Sequence, residues 1–587
     1  QVVAALGTLA VLAILNYLPS LGGNIEVVQE ITYWFSISGK ANQMIDGLIC
    51  SEDLFYFFIV IGLFLSLSVL KLHSERKVIS KSRCIVTCIG ILTFVLLLEY
   101  VCTRPACMWY CDVTQDKSRT LSKGSQEVMK ALDGGLTITT YVNLLDDHRW
   151  QGLPANRVYD VRGFRQFTRF KPEIQMRYVY YYDQTDNPIL DKLYPNLSME
   201  ERARELARVE DLDFDKFLSP EEIREKIDLT SEGNRFVRLL ERENGRKTFL
   251  RIYNDGQANP GEREIIAALK RLTIVPPKVG FLTGHDERSI RQVGEWDYSA
   301  FAANIGFRYS LVNIGFDVEE VDLRDTIPGD IHVLVIADLK KPLTDDEQEY
   351  LQRYVDKGGN LFILATATRQ ELLNPVTRSL GVYFEPGILV QNHKQHQQDL
   401  ILGEITSEAI HFSPEFFSNK ASGKCITMPR AVAINCNGQS DFRITPILET
   451  SAKSCWNEQE TIDFVNQVAT LGPGEQEKSY PLMVMLDREV GSKKQHILVV
   501  GCADCISNGE LTRTRNDVNS NNYSLIMESF RVLGDGVFPV DVSRPAPVDN
   551  AIKIGETGLI VLKWFALFIL PLGIVMGGVW VWRRRRK

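Results

Sequence analysis

The stretch HVLVIADLKKPLTDDEQEYLQRYVDKGGNLFILA, residues 332–365, contains a strand, a helix and a second strand in direct succession. Apart from His332, the runs 332–337 and 361–365 are continuously apolar, which is typical of strands buried on both faces of a sheet. Between them, Thr344 and Glu347 form a capping box that opens a helix, and Gly358 and Gly359 end it. This alternation predicts the α/β class with a parallel, doubly wound sheet.

Similar patterns extend the prediction in both directions. Upstream, residues 279–283 and 318–323 are expected strands around a helical region at 300–314. Downstream, 481–486 and 497–500 are expected to add strands. Nearer the N-terminus, strands are predicted at 136–143, 175–182 and 248–253, with a helix at 262–272 and charged helical patterns between 200 and 246. The sequence therefore predicts a large α/β body.

The stretch GLIVLKWFALFILPLGIVMGGVWV, residues 558–581, is long and apolar enough to cross a bilayer. A cluster of basic residues beside such a helix stays on the cytoplasmic side. The cluster here consists of Arg583, Arg584, Arg585, Arg586 and Lys587. These residues predict a cytoplasmic C-terminus.

Three more apolar runs, 2–18, 54–70 and 85–101, are predicted spans. The segment between the second and third is basic, and the segment between the first and second is acidic. The basic segment is expected inside and the acidic one outside, which places the region from 104 to 556 outside the cytoplasm. The alternative, that 2–18 and 54–70 are buried core helices of a soluble protein, is less favoured because such helices are usually shorter than a bilayer span.

Composition agrees with a large folded body attached to a small membrane part. The 587 residues are 45% hydrophobic and 24% charged, and the net charge of -8 argues against a nucleic-acid partner. The extramembrane part is long enough for two or three domains. Residue 1 is Gln and the chain begins within an apolar run, so we expect it to be the C-terminal part of a longer membrane protein.

Five segments in order carry a resemblance to a known family. They are CDVTQDKSRTLS (111–122), KVGFLTGHDER (278–288), LTDDEQEYLQRYVDKGGNLFIL (343–364), VVGCADCISN (499–508) and FPVDVSRPAPVDN (538–550). Together with the last span they resemble the GldG family, the auxiliary component of gliding-motility-type ABC transporters. The family typically has Asp at the position of Cys502 and an aromatic residue at Cys505. The earlier segments SGKANQMIDG (38–47) and DLFY (53–56) are similar to the end of the partner permease, GldF.

The resemblance implies a non-catalytic membrane subunit of an ABC-type transport complex in the bacterial inner membrane, multi-pass, with its main domain periplasmic. Its partners would be a separate ABC ATPase, the rest of the permease, membrane lipid and a periplasmic partner, with no cofactor and no metal. It implies a permease tail with two transmembrane helices (1–83), a transmembrane helix (84–103), an N-terminal periplasmic α/β domain (104–275), a periplasmic flavodoxin- or glutamine-amidotransferase-like α/β domain (276–545), and a last transmembrane helix with a basic cytoplasmic tail (546–587).

The sequence lacks the enzyme motifs that would indicate ATP hydrolysis or acyl transfer. The sequence contains no phosphate-binding G-x-x-x-x-G-K-[ST] loop, and Gly39-Lys40-Ala41 lacks both the upstream glycine and the hydroxyl that would reach magnesium. The turn at 365–367 reads Ala-Thr-Ala, without the cysteine nucleophile of an amidotransferase. We therefore expect a non-enzyme whose ATPase is a separate subunit.

One turn is a candidate ligand site. Gly284, His285, Asp286 and Glu287 follow a predicted strand, at the edge where open α/β sheets bind ligands. The alternative, which we prefer, is a strand-to-helix turn with polar caps. A periplasmic binding or scaffold module that recognises a sugar or envelope polymer is the alternative function, and a ligand at this turn would favour it.

Histidine and cysteine positions allow further hypotheses. His393 and His396 form an H-x-x-H pair, but nothing completes a zinc set, so a solvated loop is favoured. Because an external body would face an oxidising space, two close cysteine pairs are disulfide candidates. These are Cys107 with Cys111, and Cys425 with Cys436. Cys502 and Cys505 have redox-motif spacing, although no thioredoxin-type Trp or Pro flanks them.

Overall fold

The computed structural model describes residues 37–76, 80–102, 104, 108–324, 326–436, 438–544 and 554–585. The predicted span 2–18, Cys107, Arg586 and Lys587 lie outside the described residues. The α-helices are α1 Ile37–Ile45, α2 Ser51–Arg76, α3 Lys81–Cys102, α4 Lys123–Ala131, α5 Arg157–Gly163, α6 Arg165–Phe170, α7 Pro188–Leu193, α8 Met199–Val209, α9 Pro220–Lys226, α10 Glu262–Arg271, α11 Ser299–Ala302, α12 Leu311–Ile314, α13 Asp345–Asp356, α14 Asn374–Ser379, α15 Pro414–Ala421, α16 Asn508–Thr512, α17 Asn522–Leu533, α18 Gly555–Trp564 and α19 Leu570–Arg585.

The strands are β1 Leu48–Cys50, β2 Tyr110–Asp112, β3 Leu136–Asn143, β4 Ile174–Tyr181, β5 Val237–Arg242, β6 Lys247–Arg251, β7 Lys278–Thr283, β8 Asp317–Asp322, β9 Ile331–Ala337, β10 Asn360–Leu364, β11 Tyr383–Phe384, β12 Ile388–Gln391, β13 Leu400–Ile405, β14 Ile426–Pro429, β15 Ile434–Asn435, β16 Arg443–Glu449, β17 Cys455–Glu458, β18 Pro481–Val490 and β19 Lys493–Val500. The chain is thus a mixed α/β protein with a large, sheet-rich body.

Among the described residues, three helices are long and apolar enough to span a membrane. They cover Ser51–Ser74, Ser82–Cys102 and Gly555–Arg584. The last of them combines α18, a π-helical stretch at Phe565–Ile569 and α19, and we call residues 555–585 the C-terminal helix. The π-helical stretch lies just before Pro571, which has no N–H to continue the α-helical pattern. The predictions of apolar helices at 54–70, 85–101 and 558–581 are confirmed, and these helices indicate a membrane-associated protein.

A four-stranded sheet forms the first part of the body. Its order is β4-β3-β5-β6, with β3 and β4 parallel and the other pairs antiparallel. Strands were expected at 136–143, 175–182 and 248–253, and β3, β4 and β6 lie at these positions. Helix α8 begins with a capping box of Ser198 and Glu201, which is one reason why this charged segment is helical.

Strand β5 is a correction, because charged helical patterns are predicted between 200 and 246 and no strand is expected there. The segment 237–242 pairs with both β3 and β6, and its first four residues are buried. Arg238 is the reason why the segment looks like a solvated helix. Its guanidinium is buried against Asp160, between the rings of Phe164 and Phe236. A distant carboxylate therefore allows a charged residue to occupy a central strand.

A nine-stranded sheet organises the rest of the body, in the order β14-β13-β16-β18-β19-β10-β9-β7-β8. The five strands from β19 to β8 are parallel to one another. The other four form antiparallel pairs, starting with the β18–β19 hairpin. The expectation of a parallel sheet is therefore correct for one half of this sheet and wrong for the other. The hairpin turn contains Gly491 at φ +63°, and so short a connection forces β18 and β19 to run antiparallel.

Both faces of the large sheet are buried, as the apolar strand runs predicted. In β10, Phe362 and Leu364 face one hydrophobic core, whereas Leu361 and Ile363 face the other. The ring of Phe362 lies 5.5 Å from that of Phe530 in α17 and 6.4 Å from that of Phe301 in α11, measured between centroids. This aromatic cluster joins helices from distant parts of the sequence to the centre of the sheet.

We predict that Phe362→Ala lowers the free energy of unfolding by about 3–5 kcal/mol, because it opens a cavity beneath Phe301 and Phe530. Thermal unfolding of the purified full chain would measure the change. Phe417→Ala is the matched control, since Phe417 is 60% exposed and its loss should cost little. Equal losses of stability in the two variants would contradict this assignment of the core.

Candidate functional site

The candidate turn at Gly284 to Glu287 follows β7, at the carboxyl edge of the parallel half of the sheet. Two of its residues adopt left-handed backbone conformations, Gly284 at φ +116° and Asp286 at φ +58°. Asp286 is exposed and forms an ion pair with Lys341 at 2.7 Å. The turn therefore bends sharply and points one carboxylate to solvent.

His285 is buried between two carboxylates. Its Nε2 lies 3.1 Å from Oε2 of Glu347, and its Nδ1 lies 3.3 Å from Oε1 of Glu287. Glu347 also accepts a hydrogen bond from the backbone N–H of Thr344 as part of the α13 capping box. Burial opposes ionisation of Glu347, but the hydrogen bonds from Thr344 and His285 leave its pKa below the usual value. The turn is thereby fastened to the start of α13.

The next residue, Arg288, joins three segments through buried ion pairs. Its Nε lies 2.7 Å from Oδ2 of Asp338, its Nη2 pairs with Asp504, and Arg369 pairs with Asp338 from the other side. Asp338 and Asp504 are both buried. The guanidinium also lies 5.3 Å from the ring centroid of Tyr298.

These charges neutralise one another at the edge where a ligand would bind. Burial alone would raise the pKa of Asp338, yet Arg288 and the hydrogen bond from Arg369 hold it below the usual value. Because Asp338 is paired with two arginines of the same chain, its carboxylate contributes to the stability of the fold. The contacts favour the capped-turn alternative for 284–287, and ligand binding at the turn stays a prediction.

The cysteines near this edge are poorly placed for redox chemistry. Sγ of Cys505 donates to the carbonyl of Cys502 at 3.0 Å, and Sγ of Cys502 donates to the carbonyl of Pro429 at 3.1 Å. Both are buried, and burial raises the pKa of the Cys502 thiol well above its usual value. Such a thiol is a weak nucleophile.

The disulfide candidates are not paired in the described structure. Cys425 and Cys436 are both free thiols, so the predicted bond between them is not formed here. They belong to separate elements. The backbone of Cys425, just before β14, forms an isolated β-bridge with that of Ser520, whereas Cys436 follows β15. Cys111 lies in β2, and its predicted partner Cys107 is outside the described residues.

The histidine pair has its own protein contacts. Nε2 of His396 lies 2.9 Å from Oδ2 of Asp517, and Nε2 of His393 lies 2.6 Å from the carbonyl oxygen of Leu400. These partners explain the positions of both rings as part of the loop.

A second candidate site lies where the membrane helices meet the body, and we call residues 43–52, 108–120 and 165–169 the junction. Strand β1, directly before α2, pairs antiparallel with β2, which follows α3. The Ser51 N–H donates to the Trp109 carbonyl at 2.7 Å, and the Trp109 N–H donates to Oγ of Ser51 at 2.8 Å. The first turn of α2 is thus bonded to the segment that enters the body.

Arginines of the body complete the junction. Arg165 of α6 forms an ion pair with Glu52 in the first turn of α2. Arg169 donates to Oε1 of Gln43 at 2.6 Å, and its carbonyl accepts from the Tyr110 hydroxyl at 3.1 Å. A cavity of about 300 Å³ lies among these residues. Sequence reasoning missed them, because Arg165 and Glu52 are far apart in the chain and neither belongs to a motif.

The segment leading to the C-terminal helix returns to the junction. Arg544 donates to the carbonyls of Lys117 and Thr120 and forms an ion pair with Glu262. Oε1 of Glu262 also accepts from the Ser122 N–H at 2.7 Å. Both connections between body and membrane helices therefore leave the body at the same place.

We predict that Asp338→Asn lowers the free energy of unfolding by about 3–5 kcal/mol, because it leaves the buried guanidinium of Arg288 beside a neutral group and also removes the partner of the part-exposed Arg369. Asp286→Asn, at the exposed pair with Lys341, is the control and should cost less than about 1 kcal/mol. Thermal unfolding of the full chain compares them.

The pH profile gives a second readout for the same pair of variants. Because the pKa of Asp338 is lowered in the folded state, its contribution is present above the unfolded value of about 3.9 and is lost as pH falls through the folded value. The native chain should therefore lose more stability than Asp338→Asn on acidification below about pH 4. Parallel profiles would contradict the ionised network.

Comparison with known proteins gives one family match. Residues 276–529 match the family model ABC_transp_aux, described as an ABC-type uncharacterized transport system. No curated protein matches the chain. Among solved structures, the mmIFT52 N-terminal domain is 14% identical with a TM-score of 0.31, covering 44% of this chain and 98% of that one.

A ThuA-like protein from Parabacteroides merdae ATCC 43184 is 11% identical with a TM-score of 0.25, covering 42% of this chain and 99% of that one. Structural likeness this low supports no conclusion. The family match supports the general part of the resemblance: residues 276–529 are similar to an auxiliary component of ABC-type transport systems.

Proposed function

We propose that this chain is a non-catalytic membrane subunit of an ABC-type transport complex, whose large body couples to or binds the cargo. The observation that carries the proposal is the family match at 276–529, together with three helices in the described part of the chain that could span a membrane. The finer assignment is a GldG-like auxiliary component fused to the end of a GldF-like permease. Its ATPase is a separate subunit.

The arrangement in the membrane belongs to the same proposal. The chain lies in the bacterial inner membrane as a multi-pass protein with the body in the periplasm. The basic residues that follow the C-terminal span and those between α2 and α3 support this orientation. The proposed domains are 1–83, 84–103, 104–275, 276–545 and 546–587.

We also infer a flavodoxin- or amidotransferase-like origin for the domain 276–545. Read from the edge of the sheet, the parallel strands lie in the order β8, β7, β9, β10 and β19. If they are numbered 1 to 5 along the chain, this order is 2-1-3-4-5. This is the order of doubly wound flavodoxin-like sheets. At its carboxyl edge, the Arg288 ion-pair network occupies the position where such sheets bind ligands, which supports a non-catalytic role.

The junction supplies a physical path for coupling. A tilt or shift of α2 moves β1, and the paired β2 moves with it. The ion pair of Arg165 with Glu52 and the hydrogen bond from Arg169 to Gln43 carry the same motion to α6 in the four-stranded domain. Motion driven by nucleotide in the ATPase would thus reach the periplasmic body through backbone pairing and part-buried polar contacts.

A polar cavity favours the alternative of a binding or scaffold module for a sugar or envelope polymer. It has a volume of about 1110 Å³ and is lined mainly by the segment 457–480. Amides and carboxylates predominate in its wall, including Asn457, Glu458, Gln459 and Glu475. Such groups hydrogen-bond hydroxyls, the chemistry that a carbohydrate offers.

The coupling role predicts that Arg165→Ala reduces function without releasing the ATPase. The variant removes the ion pair between α6 and the first turn of α2. It should complement a deletion strain at least several-fold less well than the native chain, while the same ATPase co-purifies. Complementation and co-purification are measured in parallel.

Arg204→Ala is the matched control, because Arg204 forms an exposed pair with Glu200 within α8. It should complement fully. Full complementation by a chain that lacks 111–556 would refute the proposed role of the body. Normal complementation by Arg165→Ala would remove the junction from the coupling path.

A further inference from the structure

An apolar groove runs between α2 and α3. Its volume is about 690 Å³, and Phe58, Gly62 and Ser66 of α2 face Gly90 and Phe94 of α3 across it. At both glycines, a Cβ atom would meet nothing within 4 Å. At the centre of the groove no side chain projects from Gly62 or Gly90, so the backbone of another helix could approach closely.

The C-terminal helix has a complementary surface. Its apolar window is not buried by any of the described residues. Gly573 and Gly577 are four residues apart and lie on one face of α19, and a Cβ at either would meet nothing within 4 Å. Helices in a bilayer associate through close packing at small residues of this spacing.

The small residues of the helices also lie at matching depths. Gly62 and Ser66 precede Lys71 by nine and five residues, and Gly573 and Gly577 precede Arg583 by ten and six. With a rise of about 1.5 Å per residue, each matched pair differs in height by about 1.5 Å when the basic residues lie at one membrane face. No sliding of the helices is needed to bring the two surfaces together.

The chain connection keeps the start of the C-terminal helix within reach of the groove. Arg544 is bonded to Lys117 and Thr120 in the junction, and the adjoining β2 pairs with β1 directly before α2. Only the nine residues 545–553 and Ile554 separate Arg544 from Gly555. Ten residues reach at most about 35 Å, and so short a tether gives a high effective concentration.

We propose that the C-terminal helix occupies the groove between α2 and α3, so that the three helices form one membrane bundle. The occupant is this segment of the same chain. Packing buries the open faces of Gly62, Gly90, Gly573 and Gly577 against neighbouring backbone. The bundle then holds the body at a single point of attachment, so that tilting α2 also tilts the C-terminal helix.

Disulfide formation in native membranes tests the proposal. In the full chain with Cys84, Cys88 and Cys102 replaced by Ala, Phe58→Cys is combined with Leu570→Cys. These positions precede Lys71 and Arg583 by thirteen residues each. We expect an intrachain disulfide on mild oxidation, identified by mass spectrometry.

Leu572→Cys replaces Leu570→Cys in the matched control, because a position two residues along the helix points about 200° away. It should give less than about a tenth of the cross-linking, since a disulfide needs close Cβ atoms. Gly573→Ile with Gly577→Ile should reduce the Leu570→Cys product to the control level. Protease resistance of the body verifies that each variant is folded.

Two results would overturn the proposal. A covalent dimer in place of the intrachain product would place a second copy in the groove. Equal or absent cross-linking at Leu570→Cys and Leu572→Cys in folded variants would show that the C-terminal helix does not pack there.

Discussion

The pairing of β1 with β2 is the constraint on which the architecture depends. A helix inside a bilayer satisfies its own backbone groups, so it needs no particular neighbour in the body. Here the backbone immediately before α2 hydrogen-bonds to the backbone that follows α3. Helices α2 and α3 thereby form a helical hairpin whose two free ends are held together by β1 and β2. Because β2 leads into the body, the orientation of α2 is tied to that of the body.

Ion pairs are important at two places in the body, the carboxyl edge of the large sheet and the junction. At the carboxyl edge of the large sheet, Arg288 connects the turn after β7 with Asp338 and Asp504. Removing one partner of a buried pair is costly, so these contacts hold the edge in one arrangement of charges. At the junction, Arg165 of α6 reaches Glu52 in the first turn of α2, and Arg169 reaches Gln43 in α1. Polar contacts thus hold the body together at the sheet edge and join it to the helices at the junction.

Much of the fold follows from local sequence patterns. The strand predicted at 136–143 coincides with β3, and the capping box at Thr344 opens α13 as expected. The strand pattern and the capping box each depend on residues a few positions apart, so a single sequence is enough to recognise them. The apolar helices were equally predictable, because their length is set by the bilayer.

The missed features depend on contacts between distant residues. Strand β5 was missed because it contains Arg238, whose partner Asp160 lies far away in the sequence, in α5. The direction of β18 is a different case, because the short turn at Gly491 sets it locally, and apolar periodicity alone does not reveal that turn. At the candidate turn, the sequence identified residues 284–287 but not the role of Arg288, because Asp338 and Asp504 meet it only in the folded chain.

The most direct measurement is purification of the native protein from its own membranes in gentle detergent, with mass spectrometry of its partners and an assay of ATP turnover. The account predicts recovery of an ATPase with phosphate-binding motifs, whose turnover rises in the assembled complex. Recovery of the chain alone, or with envelope polymers and no ATPase, would contradict the transport role and favour the binding module.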